Sequence, residues 1–166
     1  MRKSKSNRRA FIQGSLAGTL AMGAAAVAVP AAAAQSRGGA EKKVINGPGQ
    51  QTTPATILSP AIQYGNLLFV SGAGAHDAKT HKVVPGPISN QVKQCLENIK
   101  TVLEAAGSSL DQVLKCTVFL TDIADFPAMN QVYHTFFPRN PPARSTMAVK
   151  ALPGESPVEI ECIAYV

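Results

Sequence analysis

The chain has 166 residues, with Lys and Arg numbering 16 against 10 Asp and Glu, a formal charge of +6. Five of those bases and none of the acids fall in the first 34 residues, so the rest of the chain is almost neutral. A remainder of about 130 residues makes one domain able to bury its own core, and its near-neutral balance argues against the clustered cationic face that nucleic acid needs.

Residues 1–34 read as an export signal: a basic start, an apolar run from Ser15 to Val29, and the small-residue end Ala31-Ala32-Ala33-Ala34. Asn7-Arg8-Arg9-Ala10-Phe11-Ile12 resembles a twin-arginine signal, which implies transport in the folded state and a periplasmic or otherwise exported protein. The run is short of the roughly 20 apolar residues of a spanning helix, so no stable membrane insertion is expected after cleavage behind Ala34. Residues 35–43 are expected to be a flexible lead-in, and 44–166 the folded domain, with Val44-Ile45 as a first strand.

Ala61–Tyr64 and Leu67–Ser71 flank Gly65-Asn66, a two-residue hairpin signal. The following Ser71-Gly72-Ala73-Gly74-Ala75 has almost no side-chain bulk, which suits either a bulge or close approach of another group to the backbone. Val83-Val84 is expected as a short edge strand. Apolar residues at 92, 95, 96, 99, 103 and 106 predict a helix capped by Ser89 or Asn90 and ended by Gly107. Val113–Thr121 is a β-branched strand with Cys116, Val118 and Leu120 on one face. A second helix is expected from a capping Asp125 to about Phe137, burying Phe126, Met129, Tyr133 and Phe136. Ser145–Val149 and Val158–Val166 complete the strands, and in the last one Val158, Ile160, Cys162 and Ala164 share a face while Glu159, Glu161 and Ile163 share the other. With both helices on the all-apolar face, the opposite face carries Glu161 among residues such as Phe119 and Ile163, and covering it with neighbouring subunits predicts a symmetric homo-oligomer.

The three cysteines, Cys95, Cys116 and Cys162, lie on apolar stripes and have no metal or redox spacing. They read as buried thiols, with a Cys116–Cys162 bridge left open because the two share a face of neighbouring strands. No nucleophile motif, zinc motif or phosphate loop is present, and His76, His81 and His134 have no ligand spacing. Two ionisable residues sit where chemistry would want them. Arg144, in Pro141-Pro142-Ala143-Arg144, offers a fork for a carboxylate. Glu161, mid-strand among apolar neighbours, offers a base whose pKa desolvation would raise. Each also has an ordinary surface reading.

Leu67-Leu68-Phe69-Val70-Ser71-Gly72, Met129-Asn130-Gln131-Val132-Tyr133, Pro142-Ala143-Arg144 and Val158-Glu159-Ile160-Glu161-Cys162-Ile163-Ala164 resemble, in order and spacing, the signature blocks of the RidA/YjgF family. The resemblance implies a chorismate-mutase-like α+β fold: a mixed sheet with two helices on one face, assembled as a homotrimer whose sheets form a central barrel with clefts between subunits. It implies hydrolytic deamination of enamine/imine intermediates such as 2-aminoacrylate to 2-keto acids and ammonia, with no cofactor and no metal. In that reading Arg144 binds the carboxylate of a small imino or keto acid and Glu161 activates water. Ser71, Gly72, Asn130 and Thr146 match cleft positions, and Leu58 stands where the family usually has a cleft tyrosine. The competing reading is a non-catalytic trimeric envelope protein that binds small carboxylates or holds unfolded clients.

Overall fold

The computed structural model describes residues 39–166. The leader read over residues 1–34, and residues 35–38 of the lead-in, lie outside the described residues. Six strands form one sheet in the order β1-β2-β3-β6-β4-β5: β1 (Lys42–Ile45), β2 (Ala61–Tyr64), β3 (Leu67–Gly74), β4 (Val113–Leu120), β5 (Ala143–Ala148) and β6 (Val158–Tyr165). All pairings are antiparallel except β4 with β5, which run parallel at one edge. Helices α1 (Ile88–Ala105) and α2 (Phe126–Phe136) pack together, and α1 lies against β3 and β6. The architecture is the expected mixed α+β sheet with two helices.

The core sits between sheet and helices because period and alternation agree there. The α1 stripe Val92, Cys95, Leu96, Ile99 and Leu103 is buried, and it meets Val158, Ile160, Cys162 and Ala164 from alternate positions of β6. Each fully buried Leu or Ile in this layer contributes about 1.5–3 kcal/mol relative to an exposed one. The other sheet face carries Phe69 at 43% exposure and Met147 at 44%, an apolar surface without cover from its own chain.

Several local expectations are corrected. Helix α1 starts directly after Pro87, which occupies the cap position, so Ser89 and Asn90 lie inside it and neither caps it; Asn90 Nδ2 instead donates to the Pro85 carbonyl at 3.4 Å. Gly107 does follow the helix with φ +78, the left-handed turn expected of it. Asp125 holds the cap position of α2 without a side-chain bond, because a 3-10 turn over Ile123–Asp125 precedes the helix and Asp122 accepts from the Ala124 N–H at its start. The buried residues of α2 are Met129 and Tyr133, with Phe137 just beyond; Phe126 and Phe136 are only half-buried. Val83-Val84 makes a single bridge, His76 to Val83, rather than a strand. β1 begins at Lys42, two residues inside the stretch read as lead-in, β3 runs on to Gly74, and β5 starts at Ala143, two residues before the expected Ser145.

Candidate functional site

The sequence-predicted site residues fall into two groups, one around β3 and β6 and one on β5 and α2. The first group is built by a bulge in β3. Val70 pairs with Cys162 and Ala73 with Ile160, so the two residues Ser71 and Gly72 stand opposite the single residue Glu161. This is how the low-bulk run after the hairpin expresses itself: the extra residue kinks the strand and leaves Gly72 exposed. Ser71 is fixed from both ends, its N–H donating to the Pro60 carbonyl at 3.0 Å and its hydroxyl to the Ser59 carbonyl at 2.7 Å. A Cβ on Gly72 would overlap the carboxylate of Glu159, which lies against this glycine. Leu58, 63% exposed, lines a cavity of about 440 Å³ together with Ser71, Gly72, His76, His81 and, from α1, Asn98. Glu161 itself is exposed, so the apolar surroundings expected to desolvate it are not supplied by its own chain.

The second group is built by β5 and α2. Arg144 pairs in register with Cys116, whose side chain faces the helices, and so points to the helix face. There its guanidinium is held on three sides. One Nη donates to Asn130 Oδ1 at 2.6 Å, the other approaches Met129 Sδ at 3.8 Å, and the cation lies 4.5 Å from the Tyr133 ring centre and 5.7 Å from that of Phe126. Phe126, Asn130 and Tyr133 are spaced i, i+4, i+7, one face of α2, so a single helix supplies the whole cradle. Among the described residues the one ion pair is Lys100 with Glu104, and no carboxylate neutralises Arg144. Thr146, half-buried and two residues on, shares the face of Arg144.

Within one chain, then, Arg144 and Glu161 do not converge. Glu161 pairs with Thr117 of β4 and Thr117 with Ser145 of β5, so their strands are two spacings apart, about 10 Å, with the side chains on opposite faces. Ser71 and Gly72 lie opposite Glu161 and share a cavity with Leu58, while Asn130, Arg144 and Thr146 gather at β5 and α2.

Three participants escape sequence reasoning. Tyr133 and Phe126 read as members of the core stripe, and their second role as the bed of Arg144 could be found only from the i, i+4, i+7 spacing with Asn130. Glu159 falls on the expected face, but its contact with Gly72 depends on the register of the bulge. Burial pushes up the pKa of the Tyr133 phenol, with the neighbouring Cys116 thiol adding to the rise. Its hydroxyl is buried without a geometrically formed hydrogen bond.

The family model described as Endoribonuclease L-PSP matches residues 49–166. A RutC family protein of Pyrococcus horikoshii is 50% identical over 112 residues, covering 68% of this chain and 89% of that one. The 2-iminobutanoate/2-iminopropanoate deaminase of Dermatophagoides farinae is 38% identical over 75% of this chain and 97% of its own length. Among solved structures, E. coli TdcF with bound serine superposes with a TM-score of 0.66 at 34% identity, over 75% of this chain and 98% of that one. With this extent of match, on a fold whose β3 bulge, α2 cradle and final strand carry the signature blocks, the chain belongs to the endoribonuclease L-PSP family, the RidA/YjgF family its sequence resembles.

Proposed function

We propose that this protein is a cofactor-independent hydrolase of reactive imines, converting a small 2-imino acid and water to the 2-keto acid and ammonia. The observation that carries this reading is Arg144: an un-neutralised cation, oriented by Asn130 and two aromatic rings, is a prepared receptor for a carboxylate. The imine carbon next to that carboxylate is already electrophilic. Attack by water needs one base to take its proton and no activation by metal or cofactor. Glu161 supplies that base and passes the proton to the imine nitrogen, giving the carbinolamine; it then takes the remaining hydroxyl proton and passes it to the amine nitrogen as the C–N bond breaks, releasing the keto acid and ammonia. The deaminase of Dermatophagoides farinae, named for 2-iminobutanoate and 2-iminopropanoate, supports the substrate class.

Because Arg144 and Glu161 face opposite ways, the reading requires the cleft to form between copies, with Leu58, Ser71, Gly72 and Glu161 of one chain opposite Asn130, Arg144 and Thr146 of another. The exposed apolar face bearing Phe69 and Met147 supports such an assembly, in our reading a homotrimer. The twin-arginine-like leader supports an exported site of action, which fractionation of tagged full-length protein tests.

The experiment is an ammonia and keto-acid release assay on imino acids generated in situ by an amino-acid oxidase. Arg144→Ala and Glu161→Gln are each expected to be inactive, and co-refolding the two is expected to restore activity in mixed assemblies. Full activity of Arg144→Ala rejects the clamp, and failure of complementation by two folded, assembled variants rejects the shared cleft. A non-catalytic carboxylate binder would instead bind a keto acid equally well in the Glu161→Gln form and release no ammonia in any.

A further inference from the structure

Cys116 and Cys162 are buried, at 1% and 3% exposure, and stand directly opposite each other on β4 and β6. Whether a directly opposed pair can be bridged depends on which of the two antiparallel pair types it occupies, and two backbone bonds settle this. The Thr121 N–H donates to the Pro157 carbonyl at 2.9 Å, so the odd-numbered positions of β4 turn their backbone groups toward β6. The Leu120 carbonyl accepts from the Val149 N–H at 2.8 Å, so the even-numbered positions turn theirs toward β5. Register runs without a break from Cys116 to Leu120, which makes Cys116 and Cys162 a non-hydrogen-bonded pair. In such pairs the Cα atoms are about 4.5 Å apart and the side chains approach most closely. That separation lies inside the roughly 4.4–6.8 Å range of disulfides.

Both thiols project from the sheet onto the helix face. Cys95, the third cysteine, is on α1 and its Sγ donates to the Val158 carbonyl at 3.5 Å, at the far end of β6 from Cys162. Burial raises the pKa of both Cys116 and Cys162, so neither is a ready nucleophile once the chain has folded. All three thiols are free in this structure, so a bond between these two would have to close during folding, before the helices cover them.

We infer that Cys116 and Cys162 are a disulfide-forming pair, closed across β4 and β6 when the chain folds in the presence of a small-molecule disulfide. The chemistry is thiol–disulfide exchange. One cysteine thiolate attacks oxidised glutathione, forming a mixed disulfide and releasing one glutathione thiolate. The other cysteine thiolate then attacks the protein sulfur of that mixed disulfide, forming the Cys116–Cys162 bond and releasing the second glutathione. Two protein thiols are oxidised and one glutathione disulfide is reduced to two thiols. The bridge would sit beside the Arg144 cradle, because Cys116 is the in-register neighbour of Arg144 on β5 and lies next to the Tyr133 hydroxyl.

The test is to unfold the reduced full chain in urea, refold it in oxidised glutathione, and count thiols after denaturation. Expected are loss of two of its three thiols, a mass lower by two hydrogen atoms with no glutathione adduct, and a peptide pair linking Cys116 to Cys162. The urea midpoint should rise relative to the same protein refolded in reductant and fall back when reductant is added. Cys95→Ser should give the same bridge, and Cys116→Ser or Cys162→Ser should not. Three free thiols after refolding, a stable glutathione adduct, a bridge involving Cys95 or a bridge between chains would each overturn the inference. The peptide map of the unaltered chain decides it even where a serine variant does not fold.

Discussion

Replacing Arg144 by lysine separates the charge of the clamp from its shape. The guanidinium has one edge on Asn130 at 2.6 Å and one face on Tyr133 at 4.5 Å, which fixes its plane; on the proposed function its remaining N–H groups grip the substrate carboxylate. Lysine keeps the positive charge and loses the second prong. A hydrogen bond involving a charged group contributes about 1.5–3 kcal/mol, and about 1.4 kcal/mol is tenfold in a rate or binding constant. Arg144→Lys should therefore lower kcat/KM for an imino acid by roughly 10- to 100-fold, and Arg144→Ala, which loses both prongs, by roughly 100- to 10,000-fold. The loss should shrink when the substrate carboxylate is replaced by an amide. The assay is initial-rate ammonia release at several substrate concentrations, with thermal unfolding as a control for the fold. A lysine variant within twofold of the parent, or equal losses on the acid and the amide, would refute the two-pronged grip.

Gly72→Ala places a methyl where the Glu159 carboxylate rests; because that carboxylate ends a flexible side chain, the fold should survive with a stability change below about 1 kcal/mol while ammonia release falls at least tenfold, read by urea titration beside the rate assay. Leu96→Ala, at a fully buried α1 position, should destabilise by about 2–5 kcal/mol in the same titration, with activity retained below the unfolding transition. The Cys95 thiol, its pKa pushed up to about 12 by burial and then by the nearby Glu159, is neutral in folded and unfolded chains alike below its ordinary value of 9.0. Above pH 9 the unfolded chain ionises there first, so reduced protein should lose stability toward pH 12 by about 1.4 kcal/mol per unit from this thiol, and Cys95→Ala should remove that share.

The parts of the fold legible in the sequence are those where one period persists. The α1 stripe from Val92 to Leu103 and the alternation from Val158 to Ala164 each declare a buried face without knowledge of any partner. Starts of elements are less legible, because they depend on competition among neighbours: Pro87 sets the beginning of α1 where Ser89 and Asn90 carry the better capping side chains. The site is legible as residue types and only partly as an arrangement. The small residues at 71–75 announce a bulge or a close approach, yet their position opposite Glu161 follows from a register shift between strands nearly ninety residues apart in sequence. In the same way, the opposition of Arg144 and Glu161 follows from the pairing of β5 with β4 and of β4 with β6. Local pattern fixes which way each strand's residues alternate; only long-range pairing fixes how one strand's alternation lines up with the next.

On the proposed function, a catalyst whose charge clamp and base look out from opposite surfaces has no working unit smaller than a pair of chains. Turnover per chain should then follow mass action: constant while subunits remain associated, and falling steeply on dilution through the dissociation range even though every polypeptide stays folded. For such a protein, the concentration at which it is kept helps decide whether the chemistry exists at all.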